Sequence, residues 1–390
     1  MLPALVGGSP EPGYSAAVAS NDPVMPEYGG ACLSSLVPAL LSRRDALQPW
    51  LPSAAAEARQ VLLLVLDGLG WEQLRASATL APTMHAAQGG PITSVVPTTT
   101  ATALTSITTG RTPAQHGVVG YRMAVGDGAG RRQVLNVLKW TTAEGDARRS
   151  MPATVVQPHP PFGGAAVPAV TRSEFAPTGF TAVHLSGARL VGWRTTSTLV
   201  VETLRLLSAG EPFVYAYYDG LDKVAHEHGL GDHYGAELRA VDRLVGDLVS
   251  GLPTGAALVV TSDHGQVEVG SMARVPGPDL MSTVDFISGE GRFRWLHAKP
   301  GASEDLYKAA DEAHGDEAWV RTRQELLDDG WFGGPLSAEV ADRLGDVALV
   351  AREPVAFLDP ADTGETLLLA RHGSLTSAEM LVPLLGWSAR

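Results

Sequence analysis

Six apolar residues in a row, 61–66 (VLLLVL), run straight into Asp67, Gly68, Leu69 and Gly70. A strand with one wet face alternates apolar and polar side chains. An unbroken apolar run of this length is instead buried on both faces, as in a parallel sheet covered by helices. Residues 212–218 (PFVYAYY) and 256–261 (AALVVT) have the same character. Before and between these runs, 32–47, 197–208 and 232–252 carry apolar residues at helical spacing, and another helix starts near Trp71. The expected fold class is therefore α/β, a central, mostly parallel sheet flanked by helices. From 270 to about 360 the pattern changes. Residues 292–297 and 348–358 read as strands, and 304–313 and 321–328 as helices, a smaller α+β insertion near the C-terminal third. Residues 367–370 read as one more short strand and 377–384 as a closing helix. Residues 1–30, rich in Gly, Pro, Ala and Ser, read as an irregular arm, leaving 31–390 as a single domain interrupted by the insertion.

In open α/β sheets ligands collect at the carboxyl ends of strands, so the residues just after each apolar run carry weight. Asp67 ends the first run, where it either serves a site or caps the helix near Trp71. After 212–218 comes DGLDKVAHEHGLG, in which Asp222 and His226 stand four apart and share one helical face. Asp219, His228 and His233 lie close by and compete for the same role. After 256–261 comes SDHGQ, where Asp263 and His264 form a compact oxygen-plus-nitrogen donor pair or, alternatively, an Asx-turn beside a surface histidine. His372 comes just after 367–370. The chain has only 11 histidines, so four strand ends carrying such donors point to one shared centre. Carboxylate with neutral imidazole suits Zn, Mn or Fe better than Ca or Mg. His116, His297 and His314 read as structural.

Residues 95–110 (VVPTTTATALTSITTG) supply a hydroxyl. The pattern predicts an extended arrival, a turn at Pro97 and a short helix that Gly110 terminates. Thr98, Thr99 and Thr100 sit at its start. Threonine is a frequent N-cap, but the same place favours negative charge and so suits an alkoxide or a phosphate. The 29 basic and 42 acidic residues leave a formal charge of −13. Such a surface repels duplex nucleic acid and anionic membranes. A phosphate-handling site in this chain needs its own positive charge, which divalent metal supplies.

The motifs VLDGLG, PTTTATALTSITTG, DKVAHEHG, SDHGQ and RHGSLTSAEM, in that order, resemble the alkaline phosphatase superfamily, and within it the nucleotide pyrophosphatase/phosphodiesterase branch. The resemblance extends from about residue 61 to 390 and implies an alkaline-phosphatase-like catalytic domain with the 270–360 insertion as a cap. It implies Thr100, ten residues before Gly110, as the nucleophile. It also implies two zinc-type ions, one held by Asp67, Thr100, Asp263 and His264, the other by Asp222, His226 and His372. Such a pair activates the hydroxyl and clamps an in-line displacement. One departure stands out. The branch carries Phe-Pro-Asn-His after the nucleophile, and here the positions are Ala101, Thr102, Ala103 and Leu104. The amide donor is missing, which leaves the backbone N–H of Ala101 and the metals to hold the phosphoryl oxygens. The sulfatase pattern Cys/Ser-x-Pro-x-Arg is absent around Cys32.

The expected function is hydrolysis of phosphodiester or nucleotide-pyrophosphate substrates through a phospho-threonine. The alternatives on the same fold are a phosphomonoesterase, a phosphonate hydrolase or a mutase, and outside catalysis a metal-containing binding protein. With one cysteine, no basic leader into an apolar run and no apolar stretch near the roughly 20 residues that span a bilayer, the expected setting is soluble and cytoplasmic.

Overall fold

The computed structural model describes residues 22–42, 48–126, 132–362, 364 and 367–389. Most of the N-terminal arm lies outside the described residues, and 22–30 form turns without helix or strand. A seven-stranded sheet organises the chain. Its order is Gln88–Thr93, Leu381–Ser388, Ala256–Thr261, Gln60–Leu66, Phe213–Tyr218, Pro168–Arg172 and Arg189–Trp193. Only Leu381–Ser388 runs against the others, pairing antiparallel on both its edges.

The strand Gln60–Leu66 sits in the middle, hydrogen-bonded in parallel to Ala256–Thr261 and Phe213–Tyr218. Its period of two sends alternate side chains to opposite faces. Val61, Leu63 and Val65 join one core with Tyr215, Val259, Ile107 and Trp140. Leu62, Leu64 and Leu66 join another with Val214, Val260 and the helix residues Leu238 and Val245. Two apolar layers explain why the run has no polar break.

Helix Thr100–Thr109 packs in the first of these layers with all ten residues buried. Three of its threonine hydroxyls are satisfied within the helix. Thr105 donates to Ala101 O, Thr108 to Leu104 O and Thr109 to Thr105 O, so these three are buried without loss of hydrogen bonds, whereas Thr102 Oγ1 has no partner among the described residues. Gly110 ends the helix at φ +65°, a conformation that costs a residue with a Cβ about 1–2 kcal/mol. A Cβ there would also lie 2.4 Å from Pro38 Cγ. Gly110→Ala is therefore expected to lower unfolding free energy by at least about 1–2 kcal/mol in urea. An unchanged midpoint would mean that the turn relaxes freely.

Beyond the main sheet, Arg122–Gly126, Arg132–Asn136, Thr141–Thr142 and Gly145–Asp146 form a small antiparallel sheet. Residues 284–351 build another, ordered Val284–Glu290, Phe293–Ala298, Val347–Ala351 and Ala318–Thr322. Helix Ser303–His314 covers it, and Leu296, Leu306, Val320 and Leu349 form its own core. Among the described residues no helix is long and apolar enough to cross a membrane.

Several local expectations need correction. The first helix is Leu33–Leu41, with Ser42 as its cap, and 43–47 lie outside the described residues. Residues 318–322 are a strand, and the helix behind them starts only at Arg323. There Thr322 and Glu325 form a reciprocal capping box. The closing helix is a single turn, Ser377–Met380, and the rest of that stretch belongs to the strand Leu381–Ser388. Pro383 lacks the N–H that a continuing helix needs, and the apolar side chains find burial between two strands. Residues 367–369 are not strand; Ala370–Arg371 pairs with Val267–Glu268 in a two-stranded ribbon outside the central sheet.

Candidate active site

Neighbouring strands end together because their registers match, with Val65 opposite Thr261 and Leu66 opposite Tyr218. Asp67, the 262–264 turn and the helix Gly220–His228 therefore emerge at one edge. Asp67 caps no helix, since Gly70 is the N-cap residue of Trp71–Ala76. The 262–264 turn is locked onto the loop beside it. Gly68 N and His264 N both donate to Asp263 Oδ1, each at 3.1 Å, and Leu69 N donates to Ser262 Oγ at 2.9 Å. One oxygen of Asp263 is thus occupied, and the other, Oδ2, lies 3.4 Å from His264 Nε2. Asp67 Oδ1 also lies 3.4 Å from that nitrogen, while its Oδ2 accepts from the Tyr217 hydroxyl.

The second group lies alongside. Asp222 Oδ1 is 3.3 Å from His226 Nε2, one helical turn on, and 3.7 Å from His372 Nε2. The rings of His264 and His372 stack at 3.5 Å between centroids. Ligand atoms of Asp67, Asp263 and His264 fall within 4.8 Å of one another, as do those of Asp222, His264 and His372. His264 stands in both clusters, so the two groups adjoin in one continuous centre.

Three hydrogen bonds fix the imidazole tautomers. His226 Nδ1 donates to Ala370 O at 2.7 Å, His264 Nδ1 to Gly265 O at 3.0 Å and His372 Nδ1 to Thr98 O at 2.8 Å. A carbonyl can only accept, so Nδ1 is the protonated nitrogen of each ring, and in the neutral form Nε2 carries the lone pair. Burial, followed by the neighbouring His264 and His226, holds His372 well below the usual imidazole range and keeps it neutral. Asp67 is pushed well above the usual carboxylate range by burial, then by the charges of Asp263 and Asp222. Asp67 Oδ1 and Asp263 Oδ2 are buried with no hydrogen-bond partner among the described residues. Buried acceptors facing one another at this range are costly unless a cation lies between them. The donor set of carboxylate oxygens and neutral imidazole nitrogens fits divalent zinc, manganese or iron.

The three threonines separate clearly. Thr98 Oγ1 donates to Ser374 O and accepts from Gly373 N, which ties it into the loop behind His372. Thr99 is the N-cap residue, with no side-chain capping bond. Thr100 Oγ1 lies 3.2 Å from His264 Nε2 and opens onto two cavities. One, of about 220 Å³, has walls that include Leu104, Phe175, Phe180, Tyr217 and Lys223; the other, of about 260 Å³, is lined by Tyr121, Glu290 and His372 among others. Leu104 places an apolar surface where the family pattern has an imidazole, and Ala101–Leu104 contribute no amide side chain. Ala101 lies in the first helical turn, where amides lack intrahelical acceptors.

The competing residues have other partners. Asp219 receives Arg172 Nε at 2.6 Å and Lys223 Nζ at 2.5 Å, so its charge is already matched. His228 and His233 stack on each other at 4.1 Å. His116 accepts from Val118 N and bonds Ser106 Oγ at 2.8 Å, and burial lowers its pKa to about 3. His297 and His314 lie in the 284–351 region, bonded to Ser288 and Glu317. Sequence reasoning missed Tyr217, which bonds Asp67. The signal was faint: a strand tyrosine reads as core until the neighbouring strand's end is known.

The sequence model of the type I phosphodiesterase / nucleotide pyrophosphatase family matches residues 61–375. No curated protein matches the chain. Among solved structures, murine ectonucleotide pyrophosphatase/phosphodiesterase 5 is similar, with a TM-score of 0.63 and 17% identity over 83% of this chain and 87% of that one. An inactive threonine-to-alanine variant of the murine protein in complex with AMP gives 0.64 at 17% identity, covering 84% and 87%. The human protein of the same name gives 0.64 at 17% identity, covering 84% and 88%. At this identity the likeness is one of fold.

Proposed function

This chain belongs to the type I phosphodiesterase / nucleotide pyrophosphatase family, whose members hydrolyse phosphoric esters and anhydrides, and we propose that it does so through Thr100 as a covalent nucleophile beside two divalent ions. The observation that carries the reading is the convergence at Thr100 Oγ1. Thr100 Oγ1 lies 3.2 Å from His264 Nε2, and that nitrogen is itself 3.4 Å from the unpartnered oxygens of Asp67 and Asp263 and belongs to the cluster with Asp222 and His372, a donor set that calls for cations.

Asp67, Thr100, Asp263 and His264 would hold one ion, and Asp222, His226 and His372 the other. When bound, the pair supplies positive charge that lowers the hydroxyl's pKa and stabilises charge on the leaving oxygen. Thr100 Oγ1 attacks phosphorus; the Oγ1–P bond forms as the P–O bond to the leaving group breaks. Water then cleaves the Oγ1–P bond and restores the hydroxyl. Tyr217 holds Asp67 in orientation by donating to its Oδ2. The Ala101 N–H is the proposed donor to a phosphoryl oxygen.

The wall of Phe175, Phe180 and Tyr217 suits a flat ring on the substrate, with Lys223 Nζ 5.6 Å from the Phe175 centroid. His184 stacks on Phe180 at 4.2 Å and is held down to about 4 by burial, so it stays uncharged at neutral pH. This lining and the AMP complex of the murine relative support a nucleotide-like diester or pyrophosphate as substrate, with zinc as the first choice of metal. The test compares p-nitrophenyl thymidine 5′-monophosphate with p-nitrophenyl phosphate, before and after chelation. The diester is expected to be turned over at least about tenfold faster, a barrier difference of about 1.4 kcal/mol. Chelation should abolish both rates and added zinc should restore them. A faster monoester rate would move the assignment to a phosphomonoesterase.

A further inference from the structure

We infer that Gln266 is a positioning residue that ties the carboxylate of one ion site to the turn carrying the other. The inference rests on the two-ion reading above. Gln266 ends the SDHGQ turn, two residues beyond His264, and is buried at 1% exposure. Its side chain does not stay with that turn. Gln266 Nε2 donates to Asp222 Oδ1 at 2.6 Å, across 44 residues of sequence. The orientation follows from charge, because an amide oxygen at that distance from a carboxylate would repel it. The other end, Oε1, has no hydrogen-bond partner among the described residues, so the one bond the side chain makes is to Asp222. The backbone beneath it is pinned as well, by Gln73 Nε2 donating to Gln266 O at 2.7 Å.

Asp222 Oδ1 is the same oxygen that faces His226 and His372. An amide N–H on one of its lone pairs leaves another directed at the imidazoles and prevents the carboxylate from rotating away. Gly68 makes room for the contact. It sits at φ +76°, and a Cβ on it would lie 2.8 Å from Gln266 Nε2 and 3.0 Å from Asp222 Cβ. The loop after Asp67, the 262–266 turn and the helix bearing Asp222 are thereby packed into one unit. Ordering of the first site by its ion would present Asp222 already oriented for the second. Partners of this kind behind metal ligands typically change affinity about 10–100-fold when removed.

The test is calorimetric titration of zinc into the metal-free full-length chain, wild type against Gln266→Met. Methionine keeps the volume and removes the donor. The wild type is expected to show two binding events. The variant should keep one within about twofold and weaken the other by about 10–100-fold, with an unchanged melting temperature in the metal-free state. Gln266→Asn, one methylene too short to reach, should weaken the same event, which keeps the result readable if the methionine variant folds poorly. Two unchanged events in both variants would overturn the role of Gln266 while leaving the metal reading intact. Equal weakening of both events with a lowered metal-free melting temperature would also overturn it, as a general packing role. A wild type that takes up no zinc would remove the metal reading and this inference together.

Discussion

Thr100→Ala is expected to lower kcat for a diester by at least about 10³-fold, a loss of about 4 kcal/mol of transition-state stabilisation. Without the hydroxyl no Oγ–P bond can form, and residual turnover depends on direct attack by water. The folded state should barely notice. The N-cap residue of the helix is Thr99, and among the described residues the Thr100 hydroxyl has one hydrogen-bond partner, His264 Nε2. The expected stability change is under about 1 kcal/mol, so an inactive variant with a wild-type melting curve is the predicted result. Turnover within tenfold of wild type would reject Thr100. Suspicion would then pass to Thr99, since Thr98 is bonded to the loop behind His372.

The largest effect on stability is expected at Glu379. Its carboxylate is fully buried and takes both Arg292 Nε at 2.7 Å and Arg292 Nη2 at 2.8 Å. Ser374 N and the Thr376 hydroxyl donate to the same carboxylate. Arg292 in turn donates to the carbonyls of Glu353 and Val355, and Gly265 N donates to the backbone carbonyl of Glu379. One residue thus joins the 284–351 region, the loop after His372 and the turn after His264. Glu379→Ala leaves a guanidinium buried without its counter-charge, and such a loss costs about 3–5 kcal/mol. Arg292→Met should cost a similar amount, because it orphans carbonyls as well as the carboxylate. A midpoint shift equivalent to less than about 1 kcal/mol in urea would show that water replaces the pair. The Glu379 variant should also lose metal affinity, since His372 is two residues from Ser374.

Much of the fold could be read from local pattern because the pattern had local causes. Buried strands write themselves as unbroken apolar runs, and the helix at 100–109 begins after a proline turn and stops at a glycine held at φ +65°. The four-residue step from Asp222 to His226 places both on one face of the helix Gly220–His228. The misreadings had long-range causes. Residues 381–384 look like the continuation of an amphipathic helix until Pro383 is weighed and two open strand edges are known to await the segment. Spacing favours Asp222 over Asp219 only through the four-residue step to His226. Their partners complete the separation and are not local: Arg172, 47 residues away, takes Asp219, and Gln266 takes Asp222. By pattern His372 follows a strand at 367–370, yet its place is set by a two-residue ribbon and by the carbonyl of Thr98.

The most direct test of the central claim is a crystal structure of zinc-loaded protein with anomalous differences collected on both sides of the zinc edge. The account predicts two peaks about 4 Å apart, one among Asp67, Thr100, Asp263 and His264, the other among Asp222, His226 and His372. Water alone at that centre, with the carboxylates turned outward or any zinc bound elsewhere, would contradict it.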